Sequence, residues 1–161
     1  PARFRVHVQG DDIAWYREIE TTKVKGPDGY LYEPVWMAPE DAEARGIKNG
    51  DIVKVYNERG IILTGARISQ RITPGSVVVA KGSRVDPIAP HIDRGGAINL
   101  ISPEATVSKN CKGFAVTGYL IEAEKLTQEE YDSWKKDYPE AFDRAYDAGQ
   151  GITRDAWVVE A

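Results

Sequence analysis

Cysteine, histidine and long apolar runs are what this sequence lacks. Its 161 residues include one cysteine, Cys111, and two histidines, His7 and His91. A single thiol forms no internal disulfide and supplies neither a cysteine-ligated zinc site nor an iron–sulfur cluster. The histidines have no clustered partners, so no metal site is read within the chain itself. No apolar run is long enough to span a bilayer. Basic residues are outnumbered, with 21 Lys and Arg against 25 Asp and Glu and a formal net charge of −4. That balance argues against a general nucleic-acid binder. An initiator Met is missing at Pro1. The expectation is a processed chain or, preferred, a piece of a longer one, with any export signal upstream.

What is present has the composition of one globular domain, 42% hydrophobic and 29% charged, organised around residues 36–82. Pro39 suits a first helical turn, Asp41 puts negative charge there, and Gly46 accepts a left-handed stop, so PEDAEARG reads as one short helix. Asn49-Gly50 signals a turn, and Ile52, Val53, Val55 and Tyr56 around Lys54 read as a strand. Residues 57–60 reverse the chain, 61–68 form the next strand, Thr73-Pro74-Gly75 turn again, and 76–80 are a further strand. The pattern predicts a compact β-barrel with one helical elbow. Asp41 and Asp51 are read as cap and turn residues, not as a catalytic carboxylate pair.

On either side lie segments with two readings each. Residues 1–9, PARFRVHVQ, alternate as a strand whose polar face carries Arg5, His7 and Gln9, a solvated edge or a ligand-facing row. Residues 10–32 are polar and read as a surface loop, with Trp15 and Tyr16 packed beneath it or facing another domain. Lys81, Gly82, Ser83 and Arg84 offer cations, a hydroxyl and a close backbone approach, suited to a pyrophosphate or simply to a charged loop. The glycine pair Gly95-Gly96 before Asn99 is what a backbone-lined site for a heterocycle would use; an Asn bracing a turn is the competing reading. Residues 114–122 are apolar enough for a closing strand. Beyond them, helical spacing, a capping box at Thr127 and Glu130, a break at Pro139 and a stop at Gly149 predict two short helices. Trp157, Val158 and Val159 end the chain as an apolar anchor.

Three spaced blocks carry a resemblance. Asp41-Ala42, Gly46-Ile47, Gly50-Asp51 and Val53 come first, then Asn57 with Arg59-Gly60, then Arg71-Ile72, Pro74-Gly75 and Val77. In order and separation they resemble the pterin-dinucleotide-binding domain that closes the C-terminus of the dimethyl sulfoxide reductase family of molybdenum and tungsten enzymes. Departures are Val8 where the family carries Ser, Ala38 in place of a capping Asn, Arg84 where many members have an aromatic, and Ser102 for Thr. HVQGDDIAWYREI, GPDGYLYEPVW and DRGGAIN look nearest to the large subunit of pyrogallol-phloroglucinol transhydroxylase.

The resemblance implies a mainly β fold with short helices, a double-psi β-barrel of the aspartate-decarboxylase type over residues 1–122 with 10–32 as a loop insertion. A short helical C-terminal extension, 123–161, would pack on the barrel. It implies molybdopterin guanine dinucleotide as cofactor, with Mo or W held elsewhere in a larger oxidoreductase or transhydroxylase. The residues it points to are Arg5, His7 and Gln9, then Lys81, Gly82, Ser83 and Arg84, then Asn99 and Ser102, and last Ser108 and Lys109. The fragment alone is expected to be non-catalytic, and its partners to be upstream domains of the same polypeptide and an iron–sulfur subunit, with no nucleic acid and no membrane insertion. Two other classes share the barrel: a peptide-binding adaptor, and a pyruvoyl decarboxylase that cleaves itself at a Gly-Ser bond such as Gly75-Ser76 or Gly82-Ser83.

Overall fold

A computed structural model describes residues 11, 13, 19, 21–106, 108–110, 113, 118–143, 146–147 and 152–153. The expectations for Arg5, His7, Gln9, Trp15, Tyr16, residues 114–117, Gly149 and Trp157 to Val159 lie outside the described residues. The described chain is mainly β with few and short helices.

The first hairpin pairs β1 (Val24–Lys25) with β2 (Leu31–Met37) antiparallel. Its turn is closed by the Gly26 amide donating to the Tyr30 carbonyl at 2.8 Å and by the Asp28 carboxylate accepting from the Tyr30 amide at 3.1 Å. Within the segment read as a surface loop, residues 24–32 instead form this hairpin, with Val24, Tyr30 and Tyr32 buried and Lys23 buried beside it. The strand is hard to see in the sequence because Pro34 interrupts it. Proline donates no ladder hydrogen bond and normally weakens a central strand. On one edge β2 pairs with β1 at Leu31 and Tyr32 and with β5 (Val77–Val79) only from Val35 onward, so Pro34 falls where the neighbour changes.

Helix α1 (Pro39–Ala44) begins with Pro39 and carries Glu40 and Asp41 in its first turn; Ala38 gives no side-chain cap. It stops two residues before the expected end. Gly46, at φ 64°, donates to the Glu43 carbonyl and Ile47 to the Ala42 carbonyl, the paired bonds of a Schellman stop. Asp41 accepts from the Gly75 amide at 2.7 Å and Asp51 from the Lys48 amide at 2.8 Å, which gives both carboxylates turn-holding roles.

Strands β3 (Ile52–Asn57) and β4 (Gly60–Ile68) form a hairpin across Glu58-Arg59. β4 also runs parallel to β2, and parallel to β7 (Ile92–Asp93), which pairs with β6 (Pro87–Ala89). Because side chains alternate along a strand, β4 feeds two apolar clusters. Ile62 and Ala66 join Val35, Met37, Ile47, Val53, Val55 and Ile101. Leu63 joins Tyr30, Tyr32, Ile88 and Ala141.

Of the segment expected to close the barrel, the described residues 118–121 are not strand, and the strand that pairs with β3 is β8 (Glu122–Lys125). Its sequence EAEK hides it, since only Ala123 faces the core while its neighbours are exposed. Helices α2 (Gln128–Asp137) and α3 (Pro139–Phe142) divide at Pro139, and the Thr127–Glu130 capping box is formed. β9 (Tyr146–Asp147) and β10 (Ile152–Thr153) pair antiparallel with each other.

Lys54 on β3 pairs with Glu130 on α2 and, at 3.4 Å, with Glu124 on β8. Burial alone would lower the Lys54 pKa, but the two carboxylates outweigh it and hold it above its ordinary value. The hydrogen bond from Lys54 holds Glu130 below the usual carboxylate range against the opposing effect of burial. Glu130 therefore contributes stability above the ordinary carboxylate pKa and loses it as pH falls through the folded value; Lys54 contributes until pH rises past its own raised value. Lys54→Met is expected to lower the thermal midpoint by a few degrees at most at pH 7, converging with wild type as Glu130 and Glu124 protonate in acid. Gly65 on β4 has the Val24 side chain where a Cβ would stand. Gly65→Ala is expected to cost about 1–3 kcal/mol by overpacking, read from urea unfolding midpoints.

Candidate functional site

The segment after β5 crosses the residues with the strongest ligand chemistry in the sequence. Gly82 turns the chain at φ 102°, and Ser83 then points inward and is buried. Its Oγ lies 2.8 Å from a Glu33 carboxylate oxygen and 2.6 Å from the Gly95 carbonyl. Below it, Lys23 Nζ is 3.1 Å from Asp11 and 3.2 Å from Glu33, with all three side chains almost fully enclosed. Asp11 also accepts from the Arg84 amide at 3.3 Å. Buried charges are tolerated only when paired and hydrogen-bonded. This cluster meets that condition and fixes the underside of the loop at 82–86.

A second carboxylate ties that loop to the next one. Asp93, at the end of β7, is buried, and its two oxygens accept from the Asp86 amide at 2.6 Å and the Ala97 amide at 2.7 Å. Burial pushes its pKa upward, while donors from the Ala97, Asp86 and Gly95 backbones pull it back. The Arg94 amide donates to the Asp86 carbonyl at 2.9 Å, and Tyr30 donates to the Asp86 carboxylate at 2.9 Å. Gly95 and Gly96 make the fit close. A Cβ on Gly95 would overlap the Arg84 carbonyl, and Gly96, at φ 77°, stands against the Glu33 side chain and the Leu63 carbonyl. The glycine pair thus serves as a meeting of two backbones, which only glycine permits at such separation.

After Gly96 the chain enters a short 3-10 turn, Ile98–Leu100, and Asn99 stands exposed on it. Among the described residues the Asn99 amide makes no hydrogen bond, which distinguishes it from Asn57, whose amide donates to the Ile101 carbonyl at 2.8 Å. Ser102 donates to the Ile98 carbonyl at 2.9 Å, and its oxygen is 3.2 Å from the Tyr119 hydroxyl, so this hydroxyl braces the turn bearing Asn99. Beside the turn opens a mostly apolar cleft of about 230 Å³ whose walls include Val79, Ile98, Ile101 and Tyr119.

The structure therefore brings Gly82, Ser83 and Arg84 together with Gly95 and Gly96, and places Asn99 and Ser102 on the continuation of the same loop. Lys81 is exposed at the start of the pair. Ser108 and Lys109 are exposed, and the Asn110 amide donates to the Ser108 hydroxyl oxygen. The sequence drew no attention to Lys23, Glu33 and Asp93, and it marked Asp86 and Arg94 only as parts of their segments, with no role of their own. An Asp two residues before a glycine pair was the available signal, since short carboxylates commonly collect nearby backbone amides.

The donor set fits an anionic dinucleotide with a flat heterocycle: an exposed ammonium at Lys81, an uncommitted amide at Asn99, glycine backbone at 82 and 96, and an apolar wall. Comparison with known proteins points the same way. A family model described as the molydopterin dinucleotide binding domain matches residues 10–118. The pyrogallol hydroxytransferase large subunit of Pelobacter acidigallici is 36% identical over 134 residues, 81% of this chain and 15% of that relative. Dimethyl sulfoxide reductase DmsA of Haemophilus influenzae is 32% identical over 74% of the chain and 14% of its own length. Trimethylamine-N-oxide reductase of Salmonella typhimurium is 48% identical over 59% of the chain and 12% of its own. The chain thus spans about 12–15% of the length of these relatives. It belongs to the molybdopterin dinucleotide-binding domain family, and the loop pair lies inside the matched region.

Proposed function

We propose that this chain is the cofactor-holding part of a larger bis(molybdopterin guanine dinucleotide) oxidoreductase or transhydroxylase, and that its barrel is of the double-psi type. Support for the barrel type comes from the parallel pairings of β4 with β2 and β7, which interleave segments distant in sequence. The observation that carries the functional reading is the interlocked loop pair at 82–86 and 94–99, rigid from below and open at Lys81 and Asn99. When bound, the metal and dithiolenes of the cofactor supply the redox chemistry, and protein supplies placement and electrostatics.

In this reading Lys81 neutralises phosphate charge, backbone at Gly82 approaches it, and Asn99 donates to and accepts from the heterocycle edge. Ser83 and Ser102 act one step back, holding the loop and the 3-10 turn in shape. Arg84 and Lys109 extend the cationic rim, and Arg5, His7 and Gln9 are assigned to the same cofactor from the resemblance. An adaptor or pyruvoyl reading draws no support from the relatives, which are enzymes of oxidised sulfur and nitrogen compounds or of pyrogallol by name.

The test uses the natural full-length polypeptide. Metal analysis for molybdenum and tungsten, with release of oxidised pterin and guanine nucleotide, is expected to give metal with about two pterin dinucleotides per chain; iron in the same preparation reports an iron–sulfur subunit. Lys81→Gln and Asn99→Ala, both exposed, are expected to lower retained cofactor at unchanged thermal midpoint, Lys81→Gln by about tenfold or more because a charge-assisted contact is worth about 1.5–3 kcal/mol, and Asn99→Ala by a few-fold to about tenfold because a neutral one is worth about 0.5–1.5 kcal/mol. Folded polypeptide without metal and pterin would overturn the reading.

A further inference from the structure

We infer that Arg94 is a positioning residue that couples the docking of the C-terminal helices to the shape of the cofactor loops. This rests on the cofactor reading above. Its side chain is almost fully buried and touches three segments that are far apart in sequence. Nε and Nη2 each lie 3.0 Å from one Asp86 carboxylate oxygen, in the first loop. Nη2 also donates to the Ala141 carbonyl in α3 at 3.1 Å. The guanidinium stands over two aromatic rings, 4.5 Å from the centre of Tyr30 and 5.1 Å from that of Phe142.

Each contact uses a property particular to arginine. The guanidinium directs several donors in one plane and leaves two faces for aromatic rings, whereas an ammonium is a point charge that serves one direction well. Helix α3 has four residues and cannot sustain itself. Its position comes from Ala141 and Phe142 in the second apolar cluster, from the T-shaped contact of Phe142 with Tyr131, and from the Arg94 bond.

Arg94 lies between Asp93, which gathers the amides of both loops, and Gly95, which meets the Arg84 carbonyl. A displaced guanidinium therefore shifts the backbone that carries Asn99. The helices lie beyond the matched region, which ends at residue 118, so the coupling joins a segment outside that region to loops within it.

The experiment uses the cofactor-loaded natural polypeptide carrying Arg94→Gln, Arg94→Lys or Phe142→Ala. Ile47→Ala serves as the control: it lowers stability through the first apolar cluster, which contains no residue of α2 or α3 and none of the residues that Arg94 contacts. Release of pterin dinucleotide is timed, and hydrogen exchange is followed in wild type and variants, loaded and stripped, at the Asp86 and Ala97 amides. Arg94→Gln and Phe142→Ala are expected to speed both release and exchange about tenfold, Arg94→Lys to fall between them and wild type, and Ile47→Ala to change neither at a comparable loss of thermal midpoint. Wild-type release and exchange in Arg94→Gln and Phe142→Ala would overturn the coupling. Equal changes in Ile47→Ala would also overturn it, by reducing the effect to lost stability. Absence of pterin dinucleotide from the wild-type polypeptide would overturn the cofactor reading alone, and exchange in the stripped protein still decides whether the helices hold the loops.

Discussion

Strand β4 is the constraint on which the rest of this structure depends. It is bonded to β3, β2 and β7, and two of those three pairings are parallel. A parallel partner cannot come from an adjacent hairpin, so each such pairing forces a long connection to leave the sheet and return. The connection from β2 carries α1 and β3; the one to β7 carries β5 and the loop bearing Gly82 to Asp86. The loops at 82–86 and 94–99 lie where they do because β4 needs β7 beside it.

The interior beneath those loops is polar. Lys23, Glu33, Asp11, Asp93 and Arg94 are buried there, each with ionic or backbone partners. Groups of this kind add little net stability compared with apolar packing and cost several kcal/mol when one partner is removed. Their effect is on geometry. The hydrogen bonds that Asp93 accepts and that Ser83 donates are directional, so two glycine-containing loops that would otherwise have many conformations are held in one. An apolar cluster could bury the same area but would not hold a backbone at hydrogen-bond accuracy.

The aromatic residues show a related division of labour. Tyr32 and Tyr131 both donate to Asp28, at 2.7 and 2.8 Å, so the first hairpin turn and α2 share one carboxylate. Burial, then Asp28, pushes the Tyr131 hydroxyl up to about 12 and the Tyr32 hydroxyl higher still. Both phenols stay protonated donors under all ordinary conditions. Tyr30, the last residue of the same hairpin turn, faces Asp86 and Arg94 instead.

By itself the sequence determined the local elements whose causes are local. The Pro39 helix with its Gly46 stop, the β3–β4 hairpin around Asn57 and Gly60, the Thr127–Glu130 capping box and the break at Pro139 all depend on residues within a few positions of one another. The three spaced turn blocks carried the family for the same reason. Only the tertiary structure decided where Pro34 and the EAEK strand belong, because each is permitted by what lies on its two edges. It also decided which polar residues face outward and which face inward: Asn99 and Lys81 stand exposed, while Ser83 is occupied by Glu33 and Gly95. A hydroxyl or a carboxylate has the same chemistry in either place. Its role is set by partners tens of residues away, brought together only when β2, β4 and β7 pair.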